Sequence, residues 1–430
     1  MKKLIILVLS FSFLFFACSD LDSDGFMYNS HSIENVRIKP SRLGNKKPKN
    51  IPVLSKTELI IQYVPGTTAI QKSNLRGLYN VISYEVCASC MDFNLEKWNF
   101  GPDVDLESKL GSIMPEEEDG GIEGIINVDK EFYFEYETEN YTLTGGTGNT
   151  SYTSKMVSPS TNSITIAVLD TGIDVNYSVF DRNRFLHNGS TDPINEIVSG
   201  WDFVNDDDNC YDDYLDLHGT AVSSIISNSL DQLNIPHNIL PVKVSNSEGK
   251  SSRFEVICGT AFAIERADII NMSLGWYDYD GSGIDFADDI LQTIIASHMH
   301  DVLVVTSAGN WANNNDGWGS DFKHYPSNYD LKNVTAIAAS NANSTDIAYF
   351  SNYGQSTVDF FAKGQEIPFD STYINGTSFS APVVSAVAAK YLYNSGMSLS
   401  PSGIISKLNL GGDYLYTSKP TFYSKLIELD

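Results

Sequence analysis

The chain has 430 residues, of which 42% are hydrophobic, and its 54 acidic residues exceed its 28 basic residues to give a net charge of −26. This length predicts two or three domains, and the composition is sufficient for a large apolar core. The acidic balance argues against a nucleic-acid-binding protein, because phosphate recognition needs clustered lysine and arginine side chains.

The first residues form a targeting segment. Two lysines precede an apolar run over residues 4–16, which is shorter than the ~20 residues that span a bilayer as a helix. The run ends in FFAC, which closes at Cys18 and resembles the cleavage box of bacterial lipoproteins, although Phe15 replaces the usual leucine. This resemblance implies a signal peptide over residues 1–17 and a lipidated Cys18 that anchors the protein at the outer membrane or cell surface. The alternative is an ordinary secretory signal, which also predicts export.

The next part of the chain predicts a tether and then a small domain. Residues 18–55 are polar and have little periodicity, so we interpret them as the tether. Residues 56–137 predict an α+β domain whose first helix is capped by Thr67 or Thr68. Its strands are expected over residues 58–64, 81–87, 95–100 and 132–136, and a second helix over residues 106–113. Residues 138–163 are rich in Thr, Ser, Gly and Asn and predict an exposed linker.

Four cysteines remain in the exported part: Cys87, Cys90, Cys210 and Cys258. Four cysteines allow three complete pairings, and the sequence does not choose among them. The Cys87-Ala-Ser-Cys90 motif could belong to a redox or zinc site, but no second such motif and no paired histidines accompany it. We therefore favour a local disulfide or two ordinary thiols for this motif.

From residue 164 onward, apolar and β-branched runs alternate with helical stretches. The runs are ITIAVLD, ILPVKV, ADIINMSLG, DVLVVTSAGN and VTAIAAS, and helices are expected over residues 254–267, over residues 284–298, and after both His218 and Ser378. Continuous apolar strands of this kind are buried on both faces. Residues 164–430 therefore predict an α/β domain with a mostly parallel sheet and helices on both faces.

Polar residues stand at positions where such a sheet collects functional groups, outside the carboxyl ends of its strands. Asp170 follows the first strand and Asn310 follows another, whereas His218 and Ser378 each open a predicted helix. A serine hydroxyl attacks a carbonyl when a histidine removes its proton, and the histidine needs a carboxylate to fix its tautomer. An asparagine amide and a helix N-terminus both favour the negative charge that then develops. These residues predict hydrolysis through an acyl-enzyme intermediate.

The segments VLDTGID, DLHGTAV, NMSLG, VVTSAGN and NGTSFSAP stand in this order in the chain. Over about residues 164–400 the chain resembles the subtilisin-like serine proteases (subtilases, peptidase S8). The resemblance implies a serine endopeptidase that needs no cofactor for catalysis. Asp170 would orient the imidazole, His218 would act as general base and then general acid, and Ser378 would be the nucleophile. One departure from the family is Leu217, which stands where glycine is common.

The resemblance also implies how substrate is bound. Asn310 and the Ser378 backbone N–H would form the oxyanion hole, and Ser273-Leu274-Gly275 would form a strand that pairs with the substrate backbone. Residues 249–253 are expected to form the opposite edge, where Lys250 and Arg253 would favour acidic residues two to four positions upstream of the scissile bond. The implied partners are protein or peptide substrates and, through Cys18, a membrane.

The resemblance implies two further features, and each of them has an alternative interpretation. Residues 56–137 resemble an inhibitory propeptide, which would be cut off within the linker and stay bound as an inhibitor; the alternative is an unrelated adhesion module. The acidic loop before His218 could bind structural calcium near Asp206, Asp208 and Asp213, and the alternative is a solvated loop. Two rival functions remain: a narrow processing protease for a single peptide, and a non-catalytic surface binding module, against which the complete set of catalytic residues argues.

Overall fold

The computed structural model describes residues 50–89, 93–113, 124–136, 163–175, 177, 200–278, 286–317, 322–369 and 372–429. The predicted signal peptide with Cys18, most of the predicted tether, Cys90 and nearly all of the predicted linker lie outside these ranges. The described residues belong to one compact unit. No helix within them is both long and apolar enough to cross a bilayer.

Residues 50–136 fold into a small α+β part, the N-terminal module. Its elements are β1 (Val53–Tyr63), α1 (Ala69–Leu78), β2 (Ser83–Val86), β3 (Leu95–Asn99), α2 (Leu106–Ile113) and β4 (Ile125–Glu135). The strands pair antiparallel in the order β2-β3-β1-β4. Thr68 caps α1 and Gln71 completes a capping box with it, so two orphan backbone N–H groups gain partners. The two predicted helices and the first three predicted strands lie near their expected positions, whereas the strand predicted over residues 132–136 begins earlier, at Ile125.

Residues 163–429 form the larger C-terminal module. Its strands are β5 (Ile164–Asp170), β6 (Trp201–Asp202), β7 (His237–Lys243), β8 (Lys250–Ser252), β9 (Ile269–Met272), β10 (Trp276–Tyr277), β11 (Leu303–Ser307), β12 (His324–Tyr325), β13 (Val334–Ser340), β14 (Phe360–Lys363), β15 (Ile367–Phe369), β16 (Thr372–Ile374), β17 (Asp413–Tyr414) and β18 (Lys425–Ile427). Its helices are α3 (His218–Gln232), α4 (Arg253–Ile264), α5 (Asp289–Ser297), α6 (Ala381–Asn394) and α7 (Pro401–Gly411).

Nine of these strands form one sheet in the order β17-β18-β14-β13-β11-β9-β5-β7-β6. Every neighbouring pair is parallel except β17 with β18. The predicted mostly parallel sheet is therefore confirmed. Because β11, β9 and β5 are adjacent and run in the same direction, their carboxyl ends meet at one edge. Strand β11 ends there at Ser307 and β5 at Asp170, and Ser273 directly follows β9.

Helices cover both faces of this sheet, and the side chains of β5 show how. Ile166 and Val168 point into an apolar cluster with α3, α6 and α7. Ala167 and Leu169 point into a second cluster with α4 and α5. Both faces of the strand are thus dry, which explains its continuous apolar sequence, and each large buried side chain contributes about 1.5–3 kcal/mol to folding.

The two modules are joined by strand pairing and by aromatic packing. Strand β4 pairs antiparallel with β8 of the C-terminal module, from Tyr133 opposite Ser252 to Glu135 opposite Lys250. Phe132 and Phe134 pack against Trp276, with ring centroids 5.3 and 5.0 Å apart. The N-terminal module therefore adds its last strand to an edge of the larger one.

A disulfide also joins the modules, between Cys87 and Cys258. The sequence had favoured a bond within the Cys87-Ala-Ser-Cys90 motif or free thiols, and that interpretation is wrong for Cys87. The reason is tertiary: the chain after β2 lies on α4, where the Ser89 hydroxyl donates to the carbonyl oxygen of Cys258 over 2.9 Å. Cys210 is a buried thiol, and burial raises its pKa well above the ordinary value.

Candidate active site

Asp170 and His218 form a buried hydrogen-bonded pair. Strand β5 ends at Asp170, and α3 begins at His218. His218 Nδ1 lies 2.7 Å from Asp170 Oδ1, which also accepts the Thr171 backbone N–H over 2.7 Å. Because an ionised carboxylate only accepts hydrogen bonds, Nδ1 carries the proton of the neutral imidazole and Nε2 is left as the base.

The start of α3 is shaped so that the histidine can approach the aspartate. A side chain on Gly219 would place its Cβ only 2.2 Å from the carbonyl oxygen of Gly172, so only glycine fits. Leu217 adopts a left-handed conformation with φ of 47°. Glycine adopts that conformation without strain, whereas Leu217 accepts it at some cost in backbone strain.

Ser378 lies in a 3₁₀ turn over Thr377–Phe379 that leads into α6. Among the residues that the structure describes, the partner of its hydroxyl is the carbonyl oxygen of Ser273, at 3.2 Å, and not the imidazole of His218. The neighbouring Phe379 ring packs on His218 with centroids 5.4 Å apart. The residue after Ser378 therefore contacts the histidine ring, while the serine hydroxyl itself is bonded to Ser273.

Asn310 lies beside Ser378, and its amide is held by Thr377. The Asn310 Oδ1 accepts hydrogen bonds from Thr377 N at 2.8 Å and Thr377 Oγ1 at 3.0 Å, and Gly309 N donates to the same hydroxyl. Because Oδ1 faces Thr377, Nδ2 faces the other way. The sequence analysis does not identify this role of Thr377, although the residue stands directly before the serine in the NGTSFSAP segment.

The predicted substrate strand Ser273-Leu274-Gly275 lies at this site but is not part of a regular strand, because it connects β9 to β10. Ser273 Oγ donates to the backbone carbonyl of Ser378 over 2.7 Å and accepts from Asn271 over 2.9 Å. This segment therefore fixes the backbone of Ser378. Gly275 O accepts a hydrogen bond from the side chain of Asn50, in the N-terminal module.

The last described residue of the N-terminal module covers the histidine. Tyr136 N donates to Gly249 O over 2.9 Å, which continues the pairing of β4 with β8. The Tyr136 ring packs on the His218 ring, with centroids 4.6 Å apart. Burial, together with the nearby Asp170 carboxylate, raises the pKa of the Tyr136 phenol well above its ordinary value. The phenol is therefore neutral beside the Asp170–His218 pair.

The edge at residues 249–253 carries less charge than predicted. Arg253 is buried, and its guanidinium binds Asp288 at 2.8 Å and Asp129 of the N-terminal module at 2.6 Å. Lys250 is partly exposed and pairs with Glu248. The prediction that Arg253 faces substrate is wrong, because its charge is already neutralised by two carboxylates.

The proposed calcium ligands do not come together. Asp206 accepts a hydrogen bond from Trp201, Asp208 is exposed, and Asp213 forms an ion pair with Lys243 at 2.7 Å. Within the described part of the chain, no group of three or more His, Cys, Asp or Glu side chains is arranged to hold a metal ion.

Known proteins give an independent comparison. The profile of the subtilase family (Peptidase_S8) matches residues 161–404, more than half of the chain. Alkaline serine exoprotease A of Vibrio alginolyticus is 32% identical over 251 residues, which cover 56% of this chain and 40% of that protein. The cell wall-associated protease of Bacillus subtilis (strain 168) is 29% identical over 53% of this chain and 23% of its own length. The chain thus spans less than half the length of these two relatives.

Two solved structures are also similar. A cold adapted subtilisin-like serine proteinase shares 25% identity, with a TM-score of 0.47, and the match covers 62% of this chain and 89% of that one. A lanthipeptide protease shares 20% identity, with a TM-score of 0.49, and the match covers 62% of this chain and 85% of that one.

Proposed function

Because the chain belongs to the subtilase family, we propose that it is an exported serine endopeptidase with Asp170, His218 and Ser378 as its catalytic triad. The observation that carries this proposal is the buried hydrogen bond between His218 Nδ1 and Asp170 Oδ1 beside a serine in the turn that opens α6. This arrangement leaves His218 Nε2 as the base on the side away from Asp170. No cofactor is needed for such a reaction.

In the proposed reaction, the Ser378 side chain first rotates about χ1. Its hydroxyl then donates its hydrogen bond to His218 Nε2 instead of Ser273 O. The serine then attacks the carbonyl carbon while His218 takes the proton and later gives it to the leaving amine. Asp170 stabilises the imidazolium that forms. The oxyanion is bound by Asn310 Nδ2 and the Ser378 backbone N–H, and water then hydrolyses the acyl-enzyme.

We further propose that the N-terminal module is a propeptide-like inhibitor. Support comes from β4, which occupies the β8 edge that substrate would otherwise pair with, and from Tyr136, which covers His218. The chain would cut itself after this strand, in the segment interpreted as a linker. Cleavage would leave the strand in place as a product-like inhibitor until the module departs.

We also propose that the protein is a lipoprotein of the cell envelope, anchored through Cys18. This part of the proposal rests on the sequence of the signal segment alone. Export is consistent with a disulfide in the mature chain, because such bonds persist in oxidising compartments.

The test of the proposed activity is covalent labelling with a fluorophosphonate, combined with a peptide-hydrolysis assay. Ser378→Ala removes the nucleophile with little change in volume, so labelling and hydrolysis should be lost while the circular dichroism spectrum stays native. Ser402→Ala, an exposed serine at the start of α7, is the matched control and should label normally. Wild-type turnover by Ser378→Ala would refute the proposal.

A further inference from the structure

We propose that His324 restricts this protease to small residues, such as glycine, alanine and serine, directly before the scissile bond. This inference rests on the proposed protease function and assigns the substrate class of the same site. Three observations carry it: the position of a cavity beside Ser378, the side chain that closes this cavity, and the contacts that hold that side chain in place.

A small cavity lies between the chain segments that follow two neighbouring strands. Strands β9 and β11 pair in parallel. Ser273-Leu274-Gly275, which follows β9, lines one side of the cavity. The other side is lined by Ser307, Gly309 and Asn310, at the end of β11 and directly after it. The cavity has a volume of about 20 Å³, which is room for about one water molecule.

The cavity is placed to receive the side chain of the residue directly before the scissile bond. In the proposed reaction the carbonyl carbon of that residue lies at Ser378 Oγ and its oxygen at Asn310 Nδ2, and both residues line the cavity. The Cα that carries the side chain is only about 1.5 Å from the carbonyl carbon. The residue after the bond leaves on the side of His218, which is not among the described residues that line the cavity.

The ring of His324 fills the gap between the two sides of the cavity. It enters from β12, where His324 is paired with Tyr277 of β10. A Cβ on Gly275 would lie 2.4 Å from His324 Cε1, and a Cβ on Gly309 would lie 3.0 Å from His324 Cδ2. The ring therefore lies directly against both glycines, and a substrate side chain can extend only as far as this ring.

The His324 ring is buried and held on several sides. Its Nδ1 lies 2.9 Å from Ser327 Oγ, and its ring packs edge-on against Tyr277 with centroids 5.0 Å apart. The backbone is fixed as well, because Asn328 N donates to the His324 carbonyl oxygen over 2.9 Å. Burial lowers the pKa of His324 to about 3. The ring is therefore neutral, and it selects substrates by size and not by charge.

The limit set by His324 persists in the active protease. Asn50, Phe134 and Tyr136 also line the cavity, but they belong to the N-terminal module and leave with it. His324 belongs to the C-terminal module and stays. An alanine methyl group stops short of the ring, whereas a phenylalanine side chain needs the volume that the histidine occupies. Overfilling a packed site of this kind should lower kcat/KM about 10–100-fold.

The first experiment lets two peptides compete for the full-chain wild-type protein in one mixture. The peptides differ only in the residue before the scissile bond, which is alanine in one and phenylalanine in the other. The ratio of their cleavage rates gives the ratio of kcat/KM, whatever fraction of the protein is free of its module. We expect alanine to be preferred about 10–100-fold.

Two other outcomes of this competition are distinct. Equal cleavage, or a preference for phenylalanine, would overturn the inference and leave the protease function intact. Failure to cleave either peptide, together with no fluorophosphonate labelling of Ser378, would refute the proposed function and this inference with it.

The second experiment replaces the histidine. His324→Ala should lower the alanine-to-phenylalanine ratio at least about 10-fold, because the larger cavity can now bury the phenylalanine ring. A merely structural defect would instead lower both rates and preserve the ratio. His300→Ala, which changes an exposed histidine, is the matched control and should keep the wild-type ratio. An unchanged ratio in a folded His324→Ala protein would overturn the role of His324.

A size-matched variant separates volume from chemistry. His324→Gln keeps most of the side-chain volume, so its ratio should lie between those of the wild type and His324→Ala. A ratio as low as that of His324→Ala would overturn the steric role. If His324→Ala does not fold, the wild-type competition and the His324→Gln protein still decide the question.

Discussion

The disulfide between Cys87 and Cys258 should keep the two modules together after the chain is cut between them. The bond closes a loop between residues 171 positions apart, which corresponds to about 5 kcal/mol of lost chain entropy in the unfolded state. In the uncut chain, Cys258→Ser should therefore lower the free energy of unfolding by about 2–5 kcal/mol. In the cut chain, the same change should leave only non-covalent contacts between the modules.

The assay tests the disulfide in a protein that cannot cut itself. In the Ser378→Ala background, a recognition sequence for an added protease is placed within residues 138–162 and cut. We expect a single band on a non-reducing denaturing gel and two bands after reduction, whereas Cys258→Ser should give two bands under both conditions. Cys210→Ser, which changes a buried thiol, is the control and should behave as the parent.

Two fragments on the non-reducing gel of the parent protein would refute the inter-module bond. That outcome would leave the two alternatives that the sequence favoured, a bond within the Cys87-Ala-Ser-Cys90 motif or ordinary thiols. A cut between the modules would then leave no covalent link between them.

Two further predictions concern catalysis and pH. Asn310→Ala should lower kcat about 10²–10³-fold with little change in KM, because the oxyanion loses a donor that the uncharged substrate does not need; a rise in KM alone would make Asn310 a binding residue. Glu131 lies at the module interface and accepts the Phe254 backbone N–H. Burial, reinforced by Glu255 and opposed by Lys97 and Arg253, raises its pKa to about 8. In the free module the pKa of Glu131 would be near 4.3. Docking is therefore strongest below about pH 4.3 and weakens as the pH rises towards 8, because the docked module holds the Glu131 proton more tightly than the free module does. In a cut, Cys258→Ser protein, the dissociation constant between modules should rise over this range by up to about 10-fold per pH unit, and Glu131→Gln should flatten the slope.

The sequence could predict which side chains meet at the candidate site, because their positions follow from local patterns. Asp170 ends an apolar strand, and Ser378 is preceded by glycine and threonine in a turn that opens a helix. Parallel pairing of β5, β9 and β11 then brings the strand ends together without further information. Local order along the chain and the rule for strand ends were sufficient for this part of the site.

Contacts between the modules could not be predicted in this way. Arg253 looked like a free cation, but its two carboxylate partners are distant in sequence. The bond from Cys87 to Cys258 likewise depends on how the N-terminal module lies on α4. His324 has no motif of its own, and its position is defined only once the turns at Gly275 and Gly309 close around its ring.

These contacts imply that cutting the chain and releasing the catalytic module are separate events. Strand β4 is held on β8 by backbone hydrogen bonds, and a cut in the chain after this strand does not break them. The disulfide lies on α4, away from the triad, and cleavage does not break it either. Because Cys18 and Cys87 precede the cut and Cys258 follows it, an intact disulfide would hold the active module at the lipid anchor. Release into solution would then require reduction, and the Cys258→Ser protein would show it without any reductant.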